Sequence, residues 1–251
     1  MVLSRVQVAV ADYWQAEGLL RVDVGGAVAE LPGVRLMASG LDHPQWNSGD
    51  VTDPALFDLD SVAAWYAARA DGRGVPWGLR VPVGLDWRAG ELVMSRRLMV
   101  LDPAHLTPAP LPPGVAIRAA GPADLDVACR VDAEAFGDDP ARNRGWMAPQ
   151  LDAEGWTVLL AEADGTPVGS AIAVVTDGRA GRCGYVGGVG VLEPHRGRGI
   201  GAALSAAAAA VGVDAGAELV HLSPDTDAAA RLYARLGFSE TAGYAIYVHR
   251  R

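Results

Sequence analysis

The chain has 251 residues, half of them hydrophobic, enough for one large domain or two small ones that each bury a core. Its formal net charge of -9 and pI near 5.0 exclude a general nucleic-acid binder, and no apolar run approaches the ~20 residues of a membrane span. Two cysteines, Cys129 and Cys183, make no disulfide framework. The N-terminal stretch MVLSRVQVAVADYW carries Arg5 and Asp12 and no signal-peptide pattern, so a reducing cytoplasm is expected.

In chain order, the first half reads as a helix over Ser4–Glu17, strands around Val34–Ser39 and Trp46–Val51, a helix over Leu59–Ala70 and a strand near Trp77–Val81. The segment DPAHLTPAPLPPG, Asp102 to Gly114, holds five prolines and no apolar periodicity. It reads as a stiff, extended connector. The expected organisation is therefore a lobe over 1–101, a linker over 102–113 and a second domain over 114–251.

The second half opens with a strand over Gly114–Ala120. A helix follows, with Pro122 early and Leu125, Ala128, Val131 and Ala135 at helical spacing. DDPARNRGWMAPQLDAEG reads as a loop or short helix, and Trp156–Ala163 as a strand. Asp164-Gly165 is a strong hairpin signal, because its turn needs positive φ. TPVGSAIAVVT is the partner strand, a second turn is expected at Asp177-Gly178, and a third strand runs over roughly Arg182–Leu192. Beyond an alanine-rich helix come a strand over Glu218–Ser223, a helix with Asp225 or Thr226 as N-cap and Gly237 as its stop, and the strand AIYVHR.

Between the third strand and the alanine-rich helix lies EPHRGRGIG. Gly197, Gly199 and Gly201 sit where the first N–H groups of a helix lack internal partners. Those groups and the helix dipole favour an anion, and glycines let a bulky one come close. Arg196 and Arg198 add positive charge. Ile200, Leu204, Ala207 and Val211 form the expected inner face. The segment reads as a cradle for a diphosphate. A Walker loop is excluded, since all 21 basic residues are arginine. The absence of lysine itself fits GC-rich codon usage or avoidance of self-acylation. A dinucleotide fold is disfavoured, because EPHR separates strand from glycine and too little chain follows.

Arg196-Gly197-Arg198-Gly199-Ile200-Gly201 is similar to the R/Q-x-x-G-x-G/A signature of the GNAT superfamily of N-acetyltransferases. Leu232-Tyr233-Ala234-Arg235-Leu236-Gly237-Phe238 resembles that family's L-Y-x-x-x-G-F segment. The resemblance covers about Gly114 to Arg251. GVRLMASGLDHPQWNSGDV and SVAAWYAARADGRGVPWGLRVP in the first half resemble a degenerate GNAT-like lobe without the glycine signature. The fold class implied is α/β (α+β): a mixed, mostly antiparallel sheet flanked by helices, preceded by a smaller, truncated GNAT-like lobe that binds no cofactor.

The resemblance implies an acyl-CoA-dependent N-acyltransferase, with acetyl-CoA as co-substrate and no metal. The pyrophosphate would lie on the amides of Arg196, Gly197, Arg198, Gly199, Ile200 and Gly201. The pantetheine arm would run beside the strand at Val189 and Val191, and the Val191 N–H would face the thioester carbonyl, where a donor stabilises the developing oxyanion. Tyr233 falls where the family's general acid protonates the departing thiolate. Its other reading is core packing. Glu193 is a candidate base that takes the place of a family proline, with Pro194 displaced by one. Glu134, Asp138 and Asp139 are candidates for the acceptor side, and His195 and His221 for proton transfer. His43, His105 and His249 lack metal-ligand spacing, and Trp46, Trp77, Trp87, Trp146 and Trp156 read as core. The acceptor expected is a primary amine of a small molecule or peptide; a homodimer is left open. From another class, a non-catalytic CoA-binding or regulatory module fits the same cradle.

Overall fold

Apolar alternation and side-chain caps account for most elements of the first hundred residues. The computed structural model describes residues 3–70 and 72–249. The chain divides into two units, Met1–Leu98 with Thr241–Arg251, and Met99–Glu240.

In the first unit, α1 (Arg5–Leu19) starts at Ser4, whose side chain accepts from the Gln7 N–H while Gln7 reaches back to the Ser4 backbone. This capping box satisfies donors that a helix start otherwise leaves open. The unit continues with β1 (Ala27–Leu31), β2 (Val34–Ala38), β3 (Asn47–Val51), α2 (Leu59–Ala67), β4 (Trp77–Pro82) and β5 (Glu91–Leu101) as far as Leu98, and takes back β11 (Ser239–His249) from Thr241 onward. The strand order is β1-β2-β3-β4-β11-β5. All neighbours with a stated register are antiparallel except β3 and β4, which α2 connects. Val34, Leu36, Val62, Tyr66, Trp77 and Leu79 form the core.

Two strands escape the sequence reading. β1 is short and only partly buried, and β5 interrupts its apolar pattern with Arg96 and Arg97 and exposes Leu92. The closing strand is also longer than AIYVHR, starting at Ser239; Arg250 lies outside the described residues. Tyr244–His249 pair with β4, which is why Thr241–Arg251 belongs with the first unit rather than with the residues just before it.

In the second unit the order is β5-β10-β9-β8-β7-β6, with β6 (Val115–Ala119), β7 (Trp156–Ala163), β8 (Thr166–Gly178), β9 (Gly181–Val191) and β10 (Leu219–Leu222). Helices α3 (Leu125–Phe136), α4 (Pro140–Met147), α5 (Ile200–Asp214) and α6 (Asp227–Arg235) are interspersed. Only β10 on β9 is parallel; β10 on β5 and the β6–β9 pairings are antiparallel. Asp164 and Gly165 take positive φ in the β7–β8 turn, as their sequence requires. The next turn differs from the expectation. β8 runs through Gly178, which pairs with Gly181, so Arg179 and Ala180 make the turn and Gly181 supplies the positive φ.

The two faces of this sheet carry different helices. A side chain at Gly169 would meet Leu204 of α5, whereas the next residue, Ser170, bonds Asp132 of α3. Successive residues of a strand face opposite sides, so α5 and α3 cover opposite faces. The buried surface of α5 is wider than the expected stripe. Ala203, Ser205, Ala206, Ala208 and Ala209 are buried alongside Ile200 and Leu204, while Ala207 and Val211 are only partly so. Small side chains let a helix be buried over most of its circumference.

Candidate active site: the end of β9 and the start of α5

At the end of β9 the chain leaves the sheet, makes a single 3-10 turn over Glu193–His195 and enters α5 at Gly199. Gly197 and Gly199 have φ of 73° and 87°. This left-handed region suits glycine and is costly for side chains with a Cβ. The N-cap Gly199 makes no side-chain hydrogen bond. A Cβ at Gly197 would meet nothing within 4 Å, and one at Gly199 only Pro112 Cγ at 3.6 Å. The glycines therefore leave open space at this uncapped helix start, and the residues fit a bulky anion.

The two arginines of the motif behave differently. Arg196 donates through Nε to the Val191 carbonyl at 2.8 Å and through Nη2 to the Ala135 carbonyl at 2.9 Å. Its guanidinium thus ties the end of β9 to the last turn of α3. Arg198 is exposed, with Nη1 3.4 Å from His195 Nδ1.

Beside this loop, β9 has an open edge. Its pairing with β10 spans only Cys183–Tyr185 against Leu219–His221, while β9 continues to Val191. The Leu192 N–H donates to Val168 O at 2.9 Å. Alternate residues of an antiparallel strand direct their polar groups to opposite sides, so the Val191 N–H points away from β8, toward that edge. Val189 precedes it by two residues, just after a register shift opposite Ser170–Ile172, where Gly188 has φ of 56°. Val191 Cγ2 and Leu232 Cδ1 both come within 3.8 Å of where a side chain at Gly201 would begin.

Tyr233 lies close by on α6. Thr226 caps this helix by accepting from the Ala229 N–H, and Gly237 follows its end with φ of 101°. The Tyr233 ring is buried against Phe238, centroids 6.0 Å apart. Its hydroxyl bonds Ser205, which donates to the Gly201 carbonyl at 2.7 Å. Burial holds the phenol above its usual pKa, with the Ser205 bond opposing. It stays a proton donor at neutral pH.

The other sequence candidates are dispersed. Glu193 is exposed in the 3-10 turn, Glu134 is exposed on α3 and Asp138 is exposed just beyond it. Asp139 caps α4, accepting from the Ala141 N–H at 2.9 Å. His221 is buried on β10 beside Tyr185, centroids 5.3 Å apart.

The sequence reading passed over Asp132. This half-buried carboxylate accepts from Asn143 Nδ2 at 2.7 Å and Ser170 Oγ at 3.5 Å. Burial, joined by the charge of Asp138, lifts its pKa to about 6, while the Ser170 bond lowers it. The available signal was positional: an acid four residues after Ala128, within the apolar stripe of α3. Among the described residues no group of three or more His, Cys, Asp or Glu could hold a metal ion, and no helix is long and apolar enough to cross a membrane.

Residues 125–238 match the acetyltransferase (GNAT) family. No curated protein gives a match. Solved structures align along nearly the whole chain. A GCN5-related N-acetyltransferase from Kribbella flavida shares 23% identity, with 97% of this chain and 96% of that one covered and a TM-score of 0.72. A putative GNAT-family acetyltransferase from Novosphingobium aromaticivorans shares 18%, with 98% of each chain covered and a TM-score of 0.62. A tandem GNAT protein from the clavulanic acid biosynthesis pathway shares 16%, with 98% and 96% covered and a TM-score of 0.57. The shared fold thus includes the first unit as well as the second.

Proposed function

We propose that the protein transfers an acyl group, acetyl being the expected one, from acyl-CoA to a primary amine of a small molecule or peptide. The observation that carries this reading is the open, uncapped start of α5, set directly after the strand whose last N–H faces an unpaired edge. In this reading the amides over 197–201 hold the pyrophosphate, with Arg198 adding charge at the rim, while the Arg196 N–H is already taken by the Glu193 carbonyl at 3.2 Å. Arg196 keeps the strand end in place rather than reaching for phosphate. Val189 and Val191 border the pantetheine arm. Acyl-CoA supplies an activated thioester.

The chain's own contribution is positional and electrostatic. The Val191 N–H donates to the thioester carbonyl oxygen as negative charge develops there, which lowers the barrier because the donor is already oriented. Holding amine and thioester together removes much of the entropic cost of their encounter. The Tyr233 hydroxyl gives its proton to the departing sulfur. Its buried position between Phe238 and Ser205 fixes the donor and keeps it protonated.

The test is thiol release from acetyl-CoA over a panel of primary amines, with calorimetry of acetyl-CoA binding. Tyr233→Phe keeps the ring and removes the proton, so turnover is expected to fall by ~10²–10⁴-fold with affinity unchanged. Binding without thiol release would favour a CoA-binding module instead, and a fully active Tyr233→Phe would reduce Tyr233 to packing.

A further inference from the structure

Asp132, Ala135 and Phe136 share one face of α3, since residues three and four apart stack along a helix. That face lies on the last residues of β9. A Cβ at Gly188 would stand 3.6 Å from Asp132 Oδ1, and one at Gly190 would stand 2.8 Å from Ala135 Cβ and 3.0 Å from Phe136 Cε2. Glycine is needed at 190 for this approach, and the approach brings the carboxylate to the strand that ends at Val191. The α5 cradle lies on the opposite face of the same sheet. An acid on the far face, beside the open edge, stands where an acceptor could meet an acyl group threaded from the cradle.

Resting on the acyltransferase reading, we infer that Asp132 is the general base of this protein: it receives the acceptor ammonium on the α3 face and takes its proton. Asn143 and Ser170 orient it. Both are buried and neutral, so they hold the carboxylate in one rotamer without the cation that would quench its basicity. The raised pKa, about 6, agrees with this role, because a base works best with a pKa near the working pH.

The charged groups around it are few. Asp138, from the loop after α3, adds negative charge and favours a cationic acceptor. Arg144 of α4 is engaged by Asp126. Cys129, one turn earlier on α3, has its thiol pushed up by burial. The facing stretch of β9, Val186 to Val191, contains only valine and glycine.

An ammonium N–H bond breaks and its proton moves to an Asp132 oxygen. The freed lone pair forms the C–N bond while the C–S bond breaks. Sulfur takes the Tyr233 proton, Tyr233 regains one from the nitrogen, and Asp132 releases its proton to water. The net reaction gives amide, free thiol and one proton.

Asp132→Asn keeps the shape and removes the base. With acetyl-CoA and the amine panel, kcat/KM at pH 7.5 is expected to fall by ~10²-fold or more. The wild-type acid limb, breaking near pH 6, is expected to vanish, and acetyl-CoA affinity to hold. Asp132→Glu should restore part of the rate. A second readout needs no turnover. A carboxylate whose folded pKa is raised destabilises the folded state once ionised, and that loss sets in as pH rises from about 4 through about 6. Asp132→Asn should therefore melt above the wild type at pH 8, with the gap closing below pH 4. Undiminished turnover with the acid limb retained would overturn the role of Asp132 alone. Failure of the wild type to release thiol with any amine would overturn the acyltransfer reading and this inference with it.

Discussion

The two units differ in how they place charge and in how one helix of the second unit, α5, begins. In the first unit the buried acids are closed off. Arg21 pairs with Glu17, Arg35 with Asp12 at 2.7 Å, and Arg80 grips Asp50 with two bonds of 2.7 and 2.8 Å while lying 4.2 Å over Trp14. Its helices begin under side-chain caps, Ser4 and Asp58. In the second unit the comparable ion pairs sit outside. Arg118 joins Asp124 and Glu162 at the surface, where the guanidinium and the Gly121 N–H hold Asp124 down to about pKa 2. Inward lies a carboxylate with neutral partners, and α5 starts without a side-chain cap although α4 and α6 begin under Asp139 and Thr226. A carboxylate locked to an arginine is a poor base, and a capped helix start has fewer donors to offer. The first unit has used these groups for its own structure; the second leaves them available to a ligand.

The largest effect that would test this contrast is expected at Arg80. Arg80→Ala leaves Asp50 buried and unpaired, which should cost about 3–5 kcal/mol of stability. Replacing both, Arg80→Met with Asp50→Leu, should recover most of it. Denaturant melts give both values, and a mild loss in the single variant would mean that the pair is dispensable.

A matched pair of glycines gives the next largest effect. Gly199 and Gly25 have φ of 87° and 96°, and a Cβ at either meets only ordinary contacts, 3.6 and 3.7 Å away. Alanine at each should cost a similar 1–2 kcal/mol of stability, about the price of a left-handed residue with a side chain. Only Gly199→Ala should weaken acetyl-CoA binding, by about 10-fold, roughly the loss of one charge-assisted hydrogen bond. Equal affinities in a calorimetric titration would detach the cradle from the cofactor.

The smallest effect concerns the capped helices. Ser4→Ala and Thr226→Ala each remove the side-chain acceptor of a helix start, so each should lower stability by about 1 kcal/mol. Acetyl-CoA affinity should not move in either. A cap variant that shifted affinity as Gly199→Ala does would erase the distinction between structural and ligand-facing helix starts.

Much of this site is written locally. The glycine pattern before an alanine-rich helix, the Asp164-Gly165 turn and the Thr226 cap each depend on a few adjacent residues, because positive φ, capping and helix propensity are short-range properties. For the same reason the order of strands and helices in the second unit was legible from Gly114 onward. Local patterns misplaced the Asp177-Gly178 turn by two residues, since cross-strand pairing to β9 carried β8 onward. They also missed β5, whose exposed half has no apolar face to announce it.

What only the tertiary structure decided is which polar groups meet. The sequence determined that Arg196 is basic and that Asp132, Glu134, Asp138 and Asp139 are acidic, and it placed them near one another along the chain. Nothing in that proximity distinguishes a helix cap, an exposed acid and a half-buried base. Asp139 became a cap because α4 starts there, Glu134 turned to solvent, and Asp132 turned to the sheet. Arg196 closed on the carbonyls of Val191 and Ala135, the second of them far away in sequence. Burial, desolvation and partner choice are set by packing between elements distant along the chain, and those are the quantities that fix whether an ionisable side chain supports the fold or does chemistry.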